Sequence, residues 1–89
     1  MKFRDDLKER LKDPEFAREY KALEPEHEII RQLLEERAKQ KLTQADLAAR
    51  TGIPQAHISR IENGNYNPSL EYLKRIATGL NKELHVEFR

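Results

Sequence analysis

Five basic residues fall within the stretch 37–60. Arg37, Lys39, Lys41, Arg50 and Arg60 stand against the single acid Asp46, a local excess of +4. The whole chain carries only +1, and residues 1–25 balance seven bases with seven acids. Positive charge concentrated in this way suits a phosphate-bearing polyanion, whose electrostatic footprint on a protein is local. Other chemistries find less material. There is no cysteine, which removes thiolate nucleophiles, disulfides and cysteine-based zinc sites and fits a reducing compartment. His27, His57 and His85 are spread too widely to share a helical face, so no metal site is expected. No Ser, His and acid grouping has a local signature, and neither an enzymatic activity nor a cofactor is expected.

The elements that would position the basic stretch are legible from its spacing. Thr43-Gln44-Ala45-Asp46 reads as a capping box, with hydroxyl and carboxylate satisfying free backbone N–H groups at a helix start. That helix is short and stops at Gly52, a residue able to take a positive φ just past a helix end. A second helix begins about Pro54 and ends at Asn63-Gly64. Ala48 and Ile58 sit where two helices crossing at about 90–120° must touch, so one of the pair has to be small. Leu47, Ile53, Ile58 and Ile61 supply the apolar wedge between them. Residues 44–63 therefore read as a helix, tight turn and helix; the bland alternative is a generic hairpin of a helical bundle.

Flanking elements follow from periodicity. Ile29, Ile30, Leu33, Leu34 and Ala38 give one buried face to a helix running from Pro25 to about Lys41. Beyond the loop Asn65-Tyr66-Asn67-Pro68, Ser69 is a plausible cap for a helix carrying Leu70, Leu73, Ile76, Ala77 and Leu80. Ahead of the motif, Phe3, Leu7 and Leu11 recur every four residues. Asp13-Pro14 looks like a fresh cap with proline at the first helical position, and Phe16, Tyr20 and Leu23 stripe a second short helix. Glu24-Pro25 breaks it, because a residue before proline is pushed out of the α region. The tail 84–89 alternates strictly, Leu84, Val86 and Phe88 against His85, Glu87 and Arg89, which predicts a half-buried strand. A lone strand must find its partner on another molecule, so Leu84, Val86 and Phe88 are the expected dimerisation contacts of a two-fold homodimer.

Composition bounds the whole. At 89 residues there is room for one compact core. Apolar and charged residues each make up 37%, with three glycines and four prolines. That balance favours slim helices over a turn-rich β fold. The N-terminus has no apolar signal-like run, and no segment approaches the roughly 18 apolar residues of a membrane span. A soluble, cytoplasmic protein with no membrane or small-molecule partner is expected.

The motif closely resembles the Cro/cI-type helix-turn-helix family. The resemblance lies in Leu42-Thr43-Gln44-Ala45-Asp46-Leu47-Ala48, Thr51-Gly52-Ile53, Ile58-Ser59-Arg60-Ile61-Glu62-Asn63-Gly64 and Asn67-Pro68-Ser69-Leu70. In that family the second helix of the motif enters the major groove, and its N-terminal residues read base edges. By position, the resemblance implies that Gln55, Ala56 and Arg60 face bases, with His57 and Ser59 at the flank. Arginine can bond a guanine bidentately, glutamine an adenine, and an alanine methyl can pack on thymine. Gln44 at its helix N-terminus would hold a phosphate, and Asn65, Tyr66 and Asn67 would touch the backbone beyond. Arg37 and Glu62 match positions that pair the first helix with the end of the recognition helix. Pro54 departs from the usual Ser or Thr cap, and is expected at the first helical position.

Beyond the motif, the chain resembles HigA-type antitoxins, which neutralise a RelE-like ribonuclease toxin and repress their own operon. This rests on Leu11-Lys12-Asp13-Pro14-Glu15-Phe16 and Tyr20-Lys21-Ala22-Leu23-Glu24-Pro25-Glu26. It implies toxin contacts at Phe3, Leu7, Leu11, Phe16 and Tyr20 and an operator of double-stranded DNA. The expected organisation is an N-terminal helical extension 1–24, a DNA-binding domain 25–81 and a dimerisation strand 82–89. The expected fold is all-α, a helix-turn-helix bundle with two short helices before it and a short β-strand after it. A phage-type regulator without a toxin is the alternative. A pure protein-interaction module is a third reading, disfavoured by the polar face of Gln55, Ser59 and Arg60.

Overall fold

A computed structural model describes residues 7–89 of the chain, and all its regular structure is helical. Residues 7–10 are helical, followed by α1 (Pro14–Ala22), α2 (Glu24–Gln40), α3 (Gln44–Thr51), α4 (Gln55–Glu62) and α5 (Leu70–Gly79). The buried core consists of Leu33, Leu42, Leu47, Ile53, Ile58, Ile61, Ile76 and Leu80. Ala48 and Tyr72 pack against it half-buried. These residues come from α2 to α5, the links between them and the C-cap of α5. α1 contributes none, and it packs on α2.

Each boundary of the motif has a local cause. The Asp13 carboxylate accepts the Glu15 N–H at the start of α1, with Pro14 in its first turn. α2 ends at Lys41, whose left-handed φ of 55° closes the helix. At the head of α3 the Thr43 hydroxyl accepts the Asp46 N–H at 3.0 Å, and the Asp46 carboxylate accepts the Thr43 N–H at 2.9 Å. This reciprocal pair is the expected capping box. The Thr43 N–H, with the Thr43 side chain, also holds the Asp46 carboxyl below its ordinary pKa. Gly52 terminates α3 at φ 73°, the conformation a β-carbon would strain. The Ser69 hydroxyl accepts the Tyr72 N–H at 3.1 Å and caps α5.

The structure overturns several expectations. The C-terminal strand is absent: residues 82–89 have no regular structure, and no strand occurs among the described residues. Alternation places side chains on two faces but supplies no ladder partner, and a helical bundle offers no sheet edge to satisfy the tail's backbone. Leu84, Val86 and Phe88 are exposed. Leu34, assigned to the buried face of α2, is 41% exposed, and Leu70, at the first turn of α5, is 56% exposed. Both belong to a helical stripe wider than the surface that covers it. Pro54 occupies the N-cap of α4 rather than the first helical position, without a side-chain cap bond. The chain breaks between α1 and α2 at Leu23, one residue before Glu24. Of the first apolar stripe, Phe3 lies outside the described residues.

The crossing of α5 on α3 depends on Gly79. A β-carbon there would lie 2.7 Å from Thr51 Cγ2 and 3.4 Å from Leu47 Cδ1. The Thr51 hydroxyl donates to the Leu47 carbonyl at 2.8 Å, so rotating the methyl away costs that bond. Gly79→Ala is expected to destabilise the fold by about 1–3 kcal/mol through overpacking, opposite to the usual helical gain from glycine to alanine. Adding Thr51→Ser, which keeps the hydroxyl and deletes the methyl, should recover most of the loss. Urea denaturation of the single and double variants reads both outcomes.

Candidate nucleic-acid interface

An eight-residue helix needs packing to fix its direction, because helices this short are unstable alone in water. α4 receives it from Ile58 and Ile61, both essentially inaccessible to solvent. With these two turned inward, Gln55, Ala56 and Arg60 are left exposed and Ser59 half-exposed. Gln55 and Ser59, like Ala56 and Arg60, are four residues apart and therefore stack on one strip of helix surface. Of the residues expected at bases, Gln55, Ala56 and Arg60 lie on this strip, joined by Ser59 from the expected flank, while His57 is half-buried. The strip offers a guanidinium, an amide, a hydroxyl and a methyl group, which together can donate, accept and make apolar contact.

The far end of α4 is tied to α2 and α3 by one carboxylate. Glu62 accepts Arg37 Nε at 2.7 Å and Arg37 Nη2 at 2.9 Å, a two-pronged pair. It also accepts Gln44 Nε2 at 2.8 Å. Arg37 Nη1 donates to the Leu42 carbonyl at 2.9 Å, fixing the α2–α3 link as well. The side chains are only 19% and 5% exposed for Arg37 and Glu62. The Glu62 carboxylate holds the Arg37 guanidinium above its ordinary pKa, with burial opposing. Arg37 is thus a structural cation. Arg50 stays exposed and donates to the Gly79 carbonyl at 3.2 Å. The basic excess read from the sequence is therefore partly spent inside the fold, and Arg60 is the cation on the α4 strip.

Gln44, expected at a phosphate, is half-buried with one amide N–H committed to Glu62. Its remaining amide donor and carbonyl oxygen have no bond to the described residues. Asn65, Tyr66 and Asn67 are exposed in the loop after α4. Gly64 starts that loop at φ 77°, and the Asn65 N–H returns to the Arg60 carbonyl at 2.9 Å. Tyr66 and His57 stack, with ring centroids 5.7 Å apart and planes 14° apart. Sequence reasoning missed Tyr72, whose hydroxyl lies 3.1 Å from His57 Nδ1. It is fifteen residues away on another helix, and no local pattern marks it. Among the described residues, no group of three or more His, Cys, Asp or Glu could hold a metal ion, and no helix is long and apolar enough to cross a membrane.

Comparison with known proteins agrees with this geometry. A family model described as helix-turn-helix matches residues 30–86, and the chain belongs to that family. It is 43% identical over 63 residues to an HTH-type transcriptional regulator of Sinorhizobium fredii, covering 71% of this chain and 32% of that protein. It is 42% identical over 59 residues to an HTH-type transcriptional regulator of Methanothermobacter thermautotrophicus, covering 65% of this chain and 84% of the relative. The ImmF control region 10 kDa protein of Bacillus phage phi105 is 40% identical over 55 residues, with 61% of each chain covered. The chain thus spans about a third of the Sinorhizobium protein and three-fifths of the phage protein. No solved structure matches significantly.

The Glu62 hub predicts an asymmetry between single and double variants. Glu62→Leu leaves a half-buried guanidinium and the Gln44 amide without an acceptor, and is expected to cost about 2–4 kcal/mol. Arg37→Met combined with Glu62→Leu removes both charges and should cost less than Glu62→Leu alone. Chemical denaturation of the three proteins checks this; a double variant as unstable as the sum of the singles would refute the pairing.

Proposed function

We propose that the chain binds a specific DNA operator by laying α4 in the major groove, and that it acts there as a repressor. The observation that carries this is the exposed Gln55, Ala56, Ser59 and Arg60 strip, backed by the buried Ile58 and Ile61. Side chains of these types match base-edge patterns: arginine at guanine, glutamine at adenine, alanine at a thymine methyl. Gln44, Asn65, Tyr66 and Asn67 serve as backbone contacts that set register. Residues 25–81 form the DNA-binding unit. The operator is read by a homodimer, since one short helix reads few base pairs and paired half-sites multiply specificity. Leu84, Val86 and Phe88 supply apolar surface for this association without forming a strand. Mass measurement at operator-binding concentrations tests it: a chain that binds as a monomer overturns the dimer.

Operator contacts separate into two kinds under mutation. Using a duplex selected by the wild-type protein from a random pool, Arg60→Ala should lose about 1–3 kcal/mol and relax preference at one base pair. Gln44→Ala should weaken all sequences alike. Arg60→Ala binding the selected duplex as tightly as wild type would remove the base-reading assignment.

The same reading assigns residues 1–24 to a RelE-like ribonuclease toxin, making the protein an antitoxin. In support, α1 has no buried residue, while Leu11 and Leu23 are 37% and 49% exposed. Leu7, Phe16 and Tyr20 are half-buried, so the segment offers apolar and aromatic anchors of the kind that dominate protein interfaces. A regulator without a toxin is the second reading, favoured by the likeness to the phage control-region protein. Co-expression with the product of the neighbouring reading frame separates the two. The antitoxin reading expects that product to arrest growth, the full chain to rescue it, and a chain starting at Glu26 to keep operator binding while losing rescue. A harmless neighbour favours the phage-type regulator, and rescue by the shortened chain moves the toxin surface elsewhere.

A further inference from the structure

The rings of His57, Tyr66 and Tyr72 form a cluster beside the recognition helix. Tyr66 stacks on His57, Tyr72 lies with its centroid 6.0 Å from His57 and 6.2 Å from Tyr66, and the Tyr72 hydroxyl is 3.1 Å from His57 Nδ1. The Arg75 guanidinium caps the outer face of the cluster, 6.0 Å from the Tyr72 ring centroid. His57 Nε2 makes no hydrogen bond to the described residues. Tyr72 itself packs against the core, so the hydroxyl is held by a fixed helix rather than by a mobile side chain.

We propose that Tyr72 is a positioning residue for DNA binding, one that makes His57 a phosphate contact by supplying the hydrogen bond that the phosphate-binding tautomer needs at Nδ1. This rests on the proposal that α4 enters the major groove. A neutral imidazole carries one N–H and one lone pair, and the partner of one nitrogen selects the role of the other. The Tyr72 hydroxyl can donate to Nδ1 or accept from it; a phosphate oxygen at Nε2 selects the arrangement in which the hydroxyl donates and the proton sits on Nε2. Nε2–H is then a donor, which suits a phosphate oxygen. The opposite tautomer would present a lone pair to the phosphate and be repelled. Stacking on Tyr66 removes the remaining freedom, the rotation of the ring about its side-chain bonds. Tyr66 thereby serves twice, as a loop residue near the backbone and as the wall that orients His57.

Tyr72→Phe deletes one oxygen and keeps the packing surface, so it isolates the hydroxyl. Affinity is measured on a duplex selected by the wild-type protein from a random pool, alongside the imidazole ¹⁵N shifts of His57, assigned with His57→Gln, in the complex. The wild type is expected to show the Nε2–H tautomer. Tyr72→Phe leaves Nδ1 of that tautomer without a donor and should bind about three- to tenfold more weakly, the worth of one hydrogen bond. His57→Gln should lose a similar factor, and the double variant no more than His57→Gln alone, because the two act through one contact. Losses that multiply in the double variant, or an Nε2 without its proton in the wild-type complex, overturn the proposal. If wild type binds the duplex and Tyr72→Phe binds it equally well, this inference fails and operator binding stands. If no duplex is selected by the wild type, the operator reading itself fails.

Discussion

The orientation of α4 is the constraint on which the rest depends. Eight residues cannot hold a helix in water: the C-terminal end of this one is closed by Gly64 at positive φ, with the Gly64 and Asn65 N–H groups donating to the Ile61 and Arg60 carbonyls, but its N-terminal end is a proline without a side-chain bond. Its direction is imposed by Ile58 and Ile61 driven into the wedge that Leu47 and Ile53 complete, four side chains with almost no solvent contact. Burial on one side fixes what the other side can present. Rotating the helix by one residue would turn about 100° of its surface and exchange Arg60 for an isoleucine. The core of this small protein is therefore the instrument that selects which side chains are offered outward.

Burial alone leaves α4 free to tilt along the wedge, and the Glu62 carboxylate removes that freedom. It draws donors from α2 and α3 onto the last residue of α4, so three helices meet at two oxygens. Dispersion between isoleucines sets depth with little directional preference, whereas a two-pronged guanidinium–carboxylate pair is satisfied in one plane. The same hub holds Gln44 with half its amide occupied. A side chain tethered on one hydrogen bond loses less freedom when its other groups engage a ligand than a free one would. Structural and recognition duties thus share a side chain, which is why the identity of Gln44 cannot be assigned to either alone.

The parts legible in the sequence were those in which local chemistry and tertiary packing point the same way. The Thr43–Asp46 box, the turn at Gly52, the cap at Ser69 and the burial of Leu47, Ile53, Ile58 and Ile61 all follow from spacing of residues near in sequence. The Arg37–Glu62 pair came from resemblance, since nothing local connects residues twenty-five apart. Where the reading failed, a one-dimensional pattern lacked its three-dimensional partner. Leu34 and Leu70 satisfy helical periodicity, yet no element covers them. Leu84, Val86 and Phe88 satisfy strand periodicity, yet no strand pairs with them. Tyr72 was invisible for the converse reason: its role comes from the approach of α5 to α4, which leaves no trace in the residues around it.

The N-terminal helices pose a different physical question, how far they are mechanically joined to the interface. The contacts run from Tyr20 on α1 to His27 on α2, with ring centroids 4.5 Å apart. His27 then lines a cavity of about 90 Å³ whose other walls include Ile30, Ile61, Tyr66 and Asn67. Glu26 Oε2 and His27 Nδ1 are buried there without hydrogen-bond partners. Energetic coupling between sites travels through packed side chains and bonded networks with discrete arrangements. A cavity interrupts that path at the point where α1 would push on the loop after α4, while the Glu62 hub braces α4 from the opposite side through α2 and α3. Within the proposed function, a partner on α1 reaches the Gln55–Arg60 strip by two routes, through Tyr20, His27 and the walls of this cavity and through α2 to the Arg37–Glu62 pair.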